Sequence, residues 1–304
     1  MDIIKLYEEN ILSYEEIIKK TFKRIYNLSA IKNNVIDVSI IIPIKGRQNQ
    51  IIPLINNFKE SFLHYDKVNY SITFVENDDN PLNKNIITST DANYIYLKKE
   101  IGEEFNKCLS MNIGAFLVKG KYFLFHDVDI LVKKDFFGNI FSNLEKYNNV
   151  NVLHPFSDRR VVYLNKEKSE MVRNNLLDIN DINTINPYNC HNTDVIYGKV
   201  GAPGGSILVK SELFFNIGGY DDSFFNGYSP EDHFFWNKLE TIEKINSCDN
   251  PKNEVFHLYH DVLHRPPSKF YKLLCDTFDN SSYNEKMEYI KIKSKNFTYG
   301  NLIE

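Results

Sequence analysis

Tyr122-Phe123-Leu124-Phe125-His126-Asp127-Val128-Asp129-Ile130-Leu131-Val132 is an apolar, strand-forming run with two carboxylates set into its middle. Side chains alternate between the two faces of a strand, so Asp127 and Asp129 are expected on the same side. Two like charges on one face of a nearly buried segment are costly unless a cation or a polyhydroxyl ligand lies between them. The same tripeptide also suits a strand end whose acids cap the next turn or pair with a lysine. The rest of the chain has to decide.

Upstream, Val38-Ser39-Ile40-Ile41-Ile42-Pro43-Ile44 reads as a strand buried on both faces, the pattern of a parallel sheet. Pro43 cannot donate to a ladder, so the strand is expected to end there, followed by the basic loop Lys45-Gly46-Arg47. Helical spacing over Gln50 to Phe62 precedes a strand over Tyr70 to Glu76, which closes in the polar run Glu76-Asn77-Asp78-Asp79. A short strand at Tyr94 to Leu97, a helix over Phe105 to Val118 and a strand over Lys121 to Asp127 follow. Strands alternating with helices indicate an α/β fold with a mostly parallel central sheet flanked by helices, and such sheets bind ligands beyond the carboxyl ends of their strands. Lys45 and Arg47, Glu76, and Asp127 with Asp129 all fall at such ends.

Downstream, a helix over Lys134 to Tyr147 and a strand over Val150 to Pro155 lead into residues 157 to about 199, an Asn- and Asp-rich excursion of the length that lids and binding loops have. Gly204 and Gly205 then introduce a strand over Ser206 to Val209; they serve either backbone geometry or the close approach of a sugar. Ser229-Pro230-Glu231-Asp232-His233 has the order of a helix start, with Ser229 as the cap and Pro230 at the first helical position. Acids there belong to the start of any helix, but the helix N-terminus also keeps an Asp ionised, as a general base must be. In Phe256-His257-Leu258-Tyr259-His260, two imidazoles can share a face and ligate a divalent metal, or simply be satisfied structural histidines. A carboxylate of the Asp-x-Asp run and these two imidazoles could hold one Mn²⁺-like ion.

Residues 1 to 34 keep a helix-like spacing of Ile3, Ile4, Tyr7, Ile11 and Tyr14, then Ile17, Ile18, Phe22 and Ile25. An N-terminal helical extension docked on the main domain is expected, with a membrane-surface helix as the other possibility. The net charge of -4 gives no reason to expect nucleic acid as a partner. Cys108, Cys190, Cys248 and Cys275 have no metal-ligand spacing and read as reduced thiols of a cytoplasmic protein. No run of 18 apolar residues is present and the N-terminus lacks the order of a signal peptide, so membrane contact is expected to be peripheral at most.

Seven motifs stand in a telling order: Ile41-Ile42-Pro43-Ile44-Lys45-Gly46-Arg47, then Phe105-Asn106-Lys107 with Asn112-Ile113-Gly114, then Asp127-Val128-Asp129, Gly204-Gly205-Ser206, Gly218-Gly219-Tyr220, Pro230-Glu231-Asp232 and His257 with His260. The chain thereby resembles the β-1,4-galactosyltransferase group of metal-dependent glycosyltransferases, and the galactosyltransferase-like part of bacterial polysaccharide-synthesising enzymes, over roughly residues 35 to 265. The resemblance implies a GT-A fold with a nucleotide-binding half at 35–132, an acceptor and catalytic half at 133–265, and a C-terminal helical tail at 266–304. It implies that Pro43, Lys45, Arg47 and Glu76 line the donor nucleotide, that Phe105 stacks on uracil, and that Lys107 meets the diphosphate. Asp127 and Val128 would lie at the ribose and donor sugar. Asp129, His257 and His260 match metal ligands for Mn²⁺ or Mg²⁺, His257 replacing a Met of the animal enzymes. Asp232 matches the general base, and Glu231, Gly205 and Tyr228 the acceptor side.

Two departures stand out. The family's Trp-Gly-Gly-Glu-Asp type signature is Tyr228-Ser229-Pro230-Glu231-Asp232 here, so Tyr228 stands near the place of the closing Trp. Lys replaces Arg at 45 and 107, which loses bidentate phosphate geometry. The implied reaction is inverting transfer of a hexose or N-acetylhexosamine (Gal, GalNAc or Glc type) from a UDP-sugar to a glycan hydroxyl, in bacterial surface polysaccharide synthesis. Two other readings remain: a nucleotidylyltransferase-like enzyme, whose Gly-rich basic loop Pro43–Arg47 would imitate poorly, and a non-catalytic carbohydrate-binding protein that kept the fold.

Overall fold

The computed structural model describes residues 2–5, 25–26, 36–63, 65, 68–99, 102–147, 150–156, 161–182, 195–199, 204–225, 227, 229–248, 253–261 and 269–297. In chain order the strands are β1 (Ile25–Tyr26), β2 (Val38–Ile44), β3 (Tyr70–Asp78), β4 (Asn93–Lys98), β5 (Tyr122–His126), β6 (Ile130–Val132), β7 (Val152–His154), β8 (Val161–Leu164), β9 (Val195–Lys199), β10 (Ser206–Lys210), β11 (Asn246–Ser247) and β12 (Val255–His257). The helices are α1 (Gln48–Leu63), α2 (Lys84–Thr88), α3 (Lys107–Leu117), α4 (Phe136–Lys146), α5 (Lys166–Arg173), α6 (Ser211–Asn216), α7 (Glu231–Ile242), α8 (Lys269–Asn280) and α9 (Tyr283–Asn296).

The larger sheet has the order β1-β4-β3-β2-β5-β10-β7-β11, with β4, β3, β2 and β5 mutually parallel and β1 and β10 running against them. Its strands are apolar on both faces because both faces are covered. Ile40, Ile42, Ile44 and Leu124 pack into one core with α1 and α4, while Ile41, Phe123 and Phe125 pack into a second core with α3, α6, α7, α8 and α9. Each such fully buried side chain contributes roughly 1.5–3 kcal/mol. Pro43 is tolerated in β2 because pairing with β5 ends at Ile41, while the ladder to β3 continues to Ile44.

The smaller sheet, β6-β12-β8-β9, breaks the opening stretch in two. The run 122–132 is two strands separated by a turn at Asp127–Asp129, where the Ile130 amide donates to the Asp127 carbonyl at 3.2 Å. The expectation that both acids share one strand face is therefore corrected: β5 ends at His126, one residue before the expected Asp127, and stays in the large sheet, while β6 leaves to pair with β12.

Three more expectations change. Ile25–Tyr26 is not helical but an antiparallel strand against Tyr96 and Leu97, covering the free edge of β4, where unpaired backbone groups would otherwise face water. Residues 3–5 are helical, and the remainder of the expected N-terminal helix lies outside the described residues. The described part of the 157–199 excursion is scaffold rather than lid, since β8 lies inside the small sheet and α5 packs near α1. The C-terminal segment is helical as expected, yet it is no appendage: Tyr289 and Lys293 of α9 are fully buried. Among the described residues, no helix is long and apolar enough to cross a membrane.

Candidate active site

The turn between the two sheets delivers its two acids to different neighbourhoods. Asp129 directly precedes β6, and the antiparallel register of β6 on β12 sets Ile130 opposite His257. The Leu258 amide continues the ladder by donating to the Asp129 carbonyl at 2.8 Å. The Asp129 carboxylate consequently lies 3.8 Å from His257 Nε2 and 3.3 Å from His260 Nε2, with Arg47 Nε at 4.0 Å. Behind it, the His257 ring stacks on Tyr163 of β8 at 4.7 Å. His260 is held by its loop: Ser169 Oγ accepts from the Tyr259 amide at 2.7 Å and Arg173 donates to the Tyr259 carbonyl. One oxygen of Asp129 and one nitrogen from each histidine lie within 4.8 Å of one another. That donor set, one carboxylate and two imidazoles, fits a divalent first-row metal ion.

Charge follows from the same geometry. Burial alone would push the Asp129 carboxyl up, but His257, His260 and Arg47 together outweigh it and hold the group well below the usual carboxylate range. Burial pushes His257 down, toward the neutral form a metal needs, while the bond to Asp129 pushes His260 up.

Asp127 turns instead to Lys107 at the start of α3. The Lys107 ammonium lies 3.0 Å from Asp127, 3.1 Å from Asp232 and 3.2 Å from Glu231. It donates to the carboxylates of Asp127 and Asp232, and Glu231 completes the cluster as an ion-pair partner. Burial would lower the Lys107 pKa, but these three acids reverse the sign and keep it charged. Glu231 is raised by burial and by its neighbour Asp232, against the pull of Lys107. Asp127 is raised mainly by burial. Gly204 closes the wall of the small cavity here. A Cβ at that position would sit 2.1 Å from Asp232 Oδ2, so the residue is glycine because the carboxylate occupies the space.

The other expected positions are distributed as follows. Arg47 adopts a left-handed φ of 59° directly after Gly46, a strained conformation for a non-glycine residue. Lys45 is exposed, Val128 is buried in the turn, and Phe105 is half-buried just outside α3, its carbonyl accepting from Gly227 at 2.8 Å. The Gly205 carbonyl accepts from the Asp127 amide at 2.9 Å. Glu76 is fully buried, and Tyr94 and Asn83 hydrogen-bond its carboxylate; Asn83 Nδ2 also donates to the Gly46 carbonyl at 2.8 Å. Glu76 thus anchors the loop that carries Arg47. Tyr228 lies outside the described residues. Ser229 is not the cap of α7: Pro230 holds that place and Ser229 Oγ bonds Glu231 at 2.9 Å.

Sequence reasoning missed the supports beneath Lys107. Asn106 caps α3 by accepting from the Leu109 amide at 2.8 Å, while its own amide donates to Asn77 and its side chain to the Asp222 carbonyl. Asn112 donates to the Asp222 carboxylate at 2.8 Å, and Lys293 of α9 lies 3.6 Å from it. Gly219 lets this packing close, since a Cβ there would be 2.2 Å from Phe297. An Asn before a helical run was the available signal for the cap; nothing in the sequence marks the ion pairs.

The profile of the family described as glycosyltransferase like family 2 matches residues 39–259. Human chondroitin sulfate N-acetylgalactosaminyltransferase 2 is 25% identical over 247 residues, covering 77% of this chain and 43% of the relative, so the chain spans under half of that protein's length. Among solved structures, S. aureus TarS (residues 1–349) superposes with a TM-score of 0.51 at 14% identity, over 87% of this chain and 72% of that one. Drosophila β1,4-galactosyltransferase 7, solved as a mutant with manganese, UDP-Gal and xylobiose, gives 0.47 at 14% identity over 74% and 72% of the two chains.

Proposed function

This chain belongs to the glycosyltransferase like family 2, and from that premise we propose that it transfers a hexose or N-acetylhexosamine from a UDP-sugar to a glycan hydroxyl, with inversion at the anomeric carbon. The observation that carries the reading is the pairing of two clusters across one short turn. Asp129, His257 and His260 form a cation-binding donor set on one side, and Asp232 with Glu231 stands on the other, tied through Lys107 to Asp127. The name of the human relative favours the N-acetylhexosamine branch. The resemblance to bacterial polysaccharide-synthesising enzymes makes a surface polysaccharide the expected product.

In this mechanism Asp129, His257 and His260 would hold a divalent cation, which when bound would neutralise charge on the diphosphate leaving group. Asp232 takes the proton from the acceptor hydroxyl as that oxygen attacks the anomeric carbon, a contribution typically worth about 10²–10⁴-fold. Glu231 accepts a hydrogen bond from the acceptor sugar and so orients the attacking oxygen. Lys107 holds Asp232 at 3.1 Å and Asp127 at 3.0 Å, which fixes base and donor-side acid relative to each other. Phe105 offers a ring to the uracil, and Arg47 its guanidinium to the nucleotide.

The test is release of UDP from a panel of UDP-sugars with Mn²⁺, with and without glycan acceptors, followed by mass analysis of the products. A transferase releases UDP and extends an acceptor. Absence of UDP release from every donor, together with UDP binding that EDTA leaves unchanged, would remove the proposal.

A further inference from the structure

β6 is only three residues long and forms the edge of the small sheet, so its outward-facing backbone groups have no neighbouring strand. Buried edge groups without partners cost about 1–3 kcal/mol each. The outer edge of β6 is nevertheless fully accounted for. Ile130 N–H donates to the Asp127 carbonyl at 3.2 Å. The Ile130 carbonyl meets His126 Nε2 at 2.9 Å. At Val132, the amide donates to Asn57 Oδ1 at 2.8 Å and the carbonyl accepts from Asn57 Nδ2 at 2.7 Å. One side-chain amide from α1 thereby imitates both halves of a missing strand residue.

The chemistry of His126 is equally constrained. A carbonyl oxygen only accepts, so Nε2 carries the proton, and Nδ1 then accepts from Ser206 Oγ at 2.9 Å. The ring is fully buried against Phe58, and burial pushes its pKa down to about 4, so it stays neutral and keeps this tautomer at any physiological pH. His126 therefore ties β5, β6 and β10 together directly beneath the Asp127–Asp129 turn.

Register is what these bonds protect. A one-residue slip of β6 on β12 would flip its side chains to the other face and carry Asp129 away from His257. We propose that His126 and Asn57 are positioning residues of the Asp129, His257 and His260 centre, acting as two clamps that hold β6 in the register a divalent cation requires. This inference rests on the metal-binding part of the proposed function.

The experiment titrates Mn²⁺ into the full chain by electron paramagnetic resonance, with thermal unfolding measured in parallel on each variant. Wild type and Asp129→Ala establish that the site binds; an absence of Mn²⁺ binding by the wild type overturns both the metal reading and the clamps. With that difference in hand, Asn57→Leu and His126→Phe are expected to weaken Mn²⁺ about 10–100-fold, the range that outer-shell partners command. His126→Gln, which can keep the donor to Ile130, is expected to recover most of the loss. Ser206→Ala, which frees only Nδ1, is expected to cost about 2–5-fold by comparison. Wild-type Mn²⁺ affinity in folded Asn57→Leu and His126→Phe proteins, with only the melting temperature lowered, would reduce the clamps to structural residues. Should those two variants not fold, unchanged affinity in both Ser206→Ala and Asn57→Asp would overturn the proposal equally.

Discussion

Asp127 and Asp129 are two positions apart, and their surroundings are opposite in charge. Asp127 is one of three carboxylates around a single ammonium; Asp129 is a single carboxylate among two imidazoles and a guanidinium. The first group is assembled by the large sheet and the starts of α3 and α7, the second by the small sheet and the loop after β12. Lys107 compensates its own cluster, one ammonium among three acids within 3.2 Å. Around Asp129 one carboxylate oxygen and one nitrogen from each imidazole lie within 4.8 Å of one another, a donor set that could take a cation from outside. The difference teaches that one turn divides its surroundings: an internally compensated side that holds acids in place, and a side whose donor set could take an ion.

The largest expected effect tests the ion-binding side. Asp129→Ala should abolish metal-dependent binding of UDP while the fold persists, because the remaining imidazoles are neutral and too few; calorimetric titration of UDP with Mn²⁺ and with EDTA measures it. On the other side, Asp232→Asn preserves shape and hydrogen-bonding reach but removes the proton acceptor. Turnover should fall by about two to four orders of magnitude with UDP affinity nearly unchanged. Near-normal transfer by that variant would reduce the acid to part of a helix start. These two variants ought to separate cleanly, one losing the donor and the other the chemistry; if both lose UDP affinity equally, the division of labour is wrong.

Lys107→Met probes internal compensation itself. Breaking a buried ion pair by removing one partner typically costs about 3–5 kcal/mol, and three acids lose their partner here. The pH dependence has a definite sign. Glu231 is already raised by burial and Asp232, and a group raised on folding favours the folded state at low pH and loses that contribution as pH rises through its folded value. Without Lys107 it is raised further, so the variant should be most destabilised near pH 8 and recover toward about pH 5. Thermal melts across that range check it. Gly204→Ala should be milder in stability but still lower turnover roughly tenfold or more, since the methyl displaces Asp232 rather than any metal ligand. Phe105→Ala should be smallest, weakening UDP and UDP-sugars alike by about 1–3 kcal/mol if the ring stacks on the base. A change of sugar preference instead would move Phe105 to another subsite.

Much of this was legible in the sequence because apolar pattern and residue type carry it. Val38–Ile44 is apolar on both faces and forms a parallel strand buried on both. Donor chemistry pointed to His257, His260 and one acid of the Asp-x-Asp run as a possible metal set, and only the resemblance chose Asp129 as that acid. The turn between β5 and β6 was not legible, since residues on both sides are equally apolar and the break is imposed by a partner strand far along the chain. Ile25–Tyr26 fits a helical spacing, yet the unpaired edge of β4 draws it into extended form. The three acids around Lys107 were not legible either, since they come from two distant segments that no local pattern joins.

The pairing of Ile130 with His257 joins segments roughly 130 positions apart, a span that makes the contact slow to form during folding. During synthesis, Asp129 leaves the ribosome long before its histidine partners exist. The ion centre is thus expected to assemble late, after the large sheet has closed, and Mn²⁺ should act on the final step of refolding rather than on collapse. Stopped-flow refolding with and without Mn²⁺ would show that as a change confined to the slowest phase. Timing, as much as geometry, would then keep half-made chains from capturing the metal.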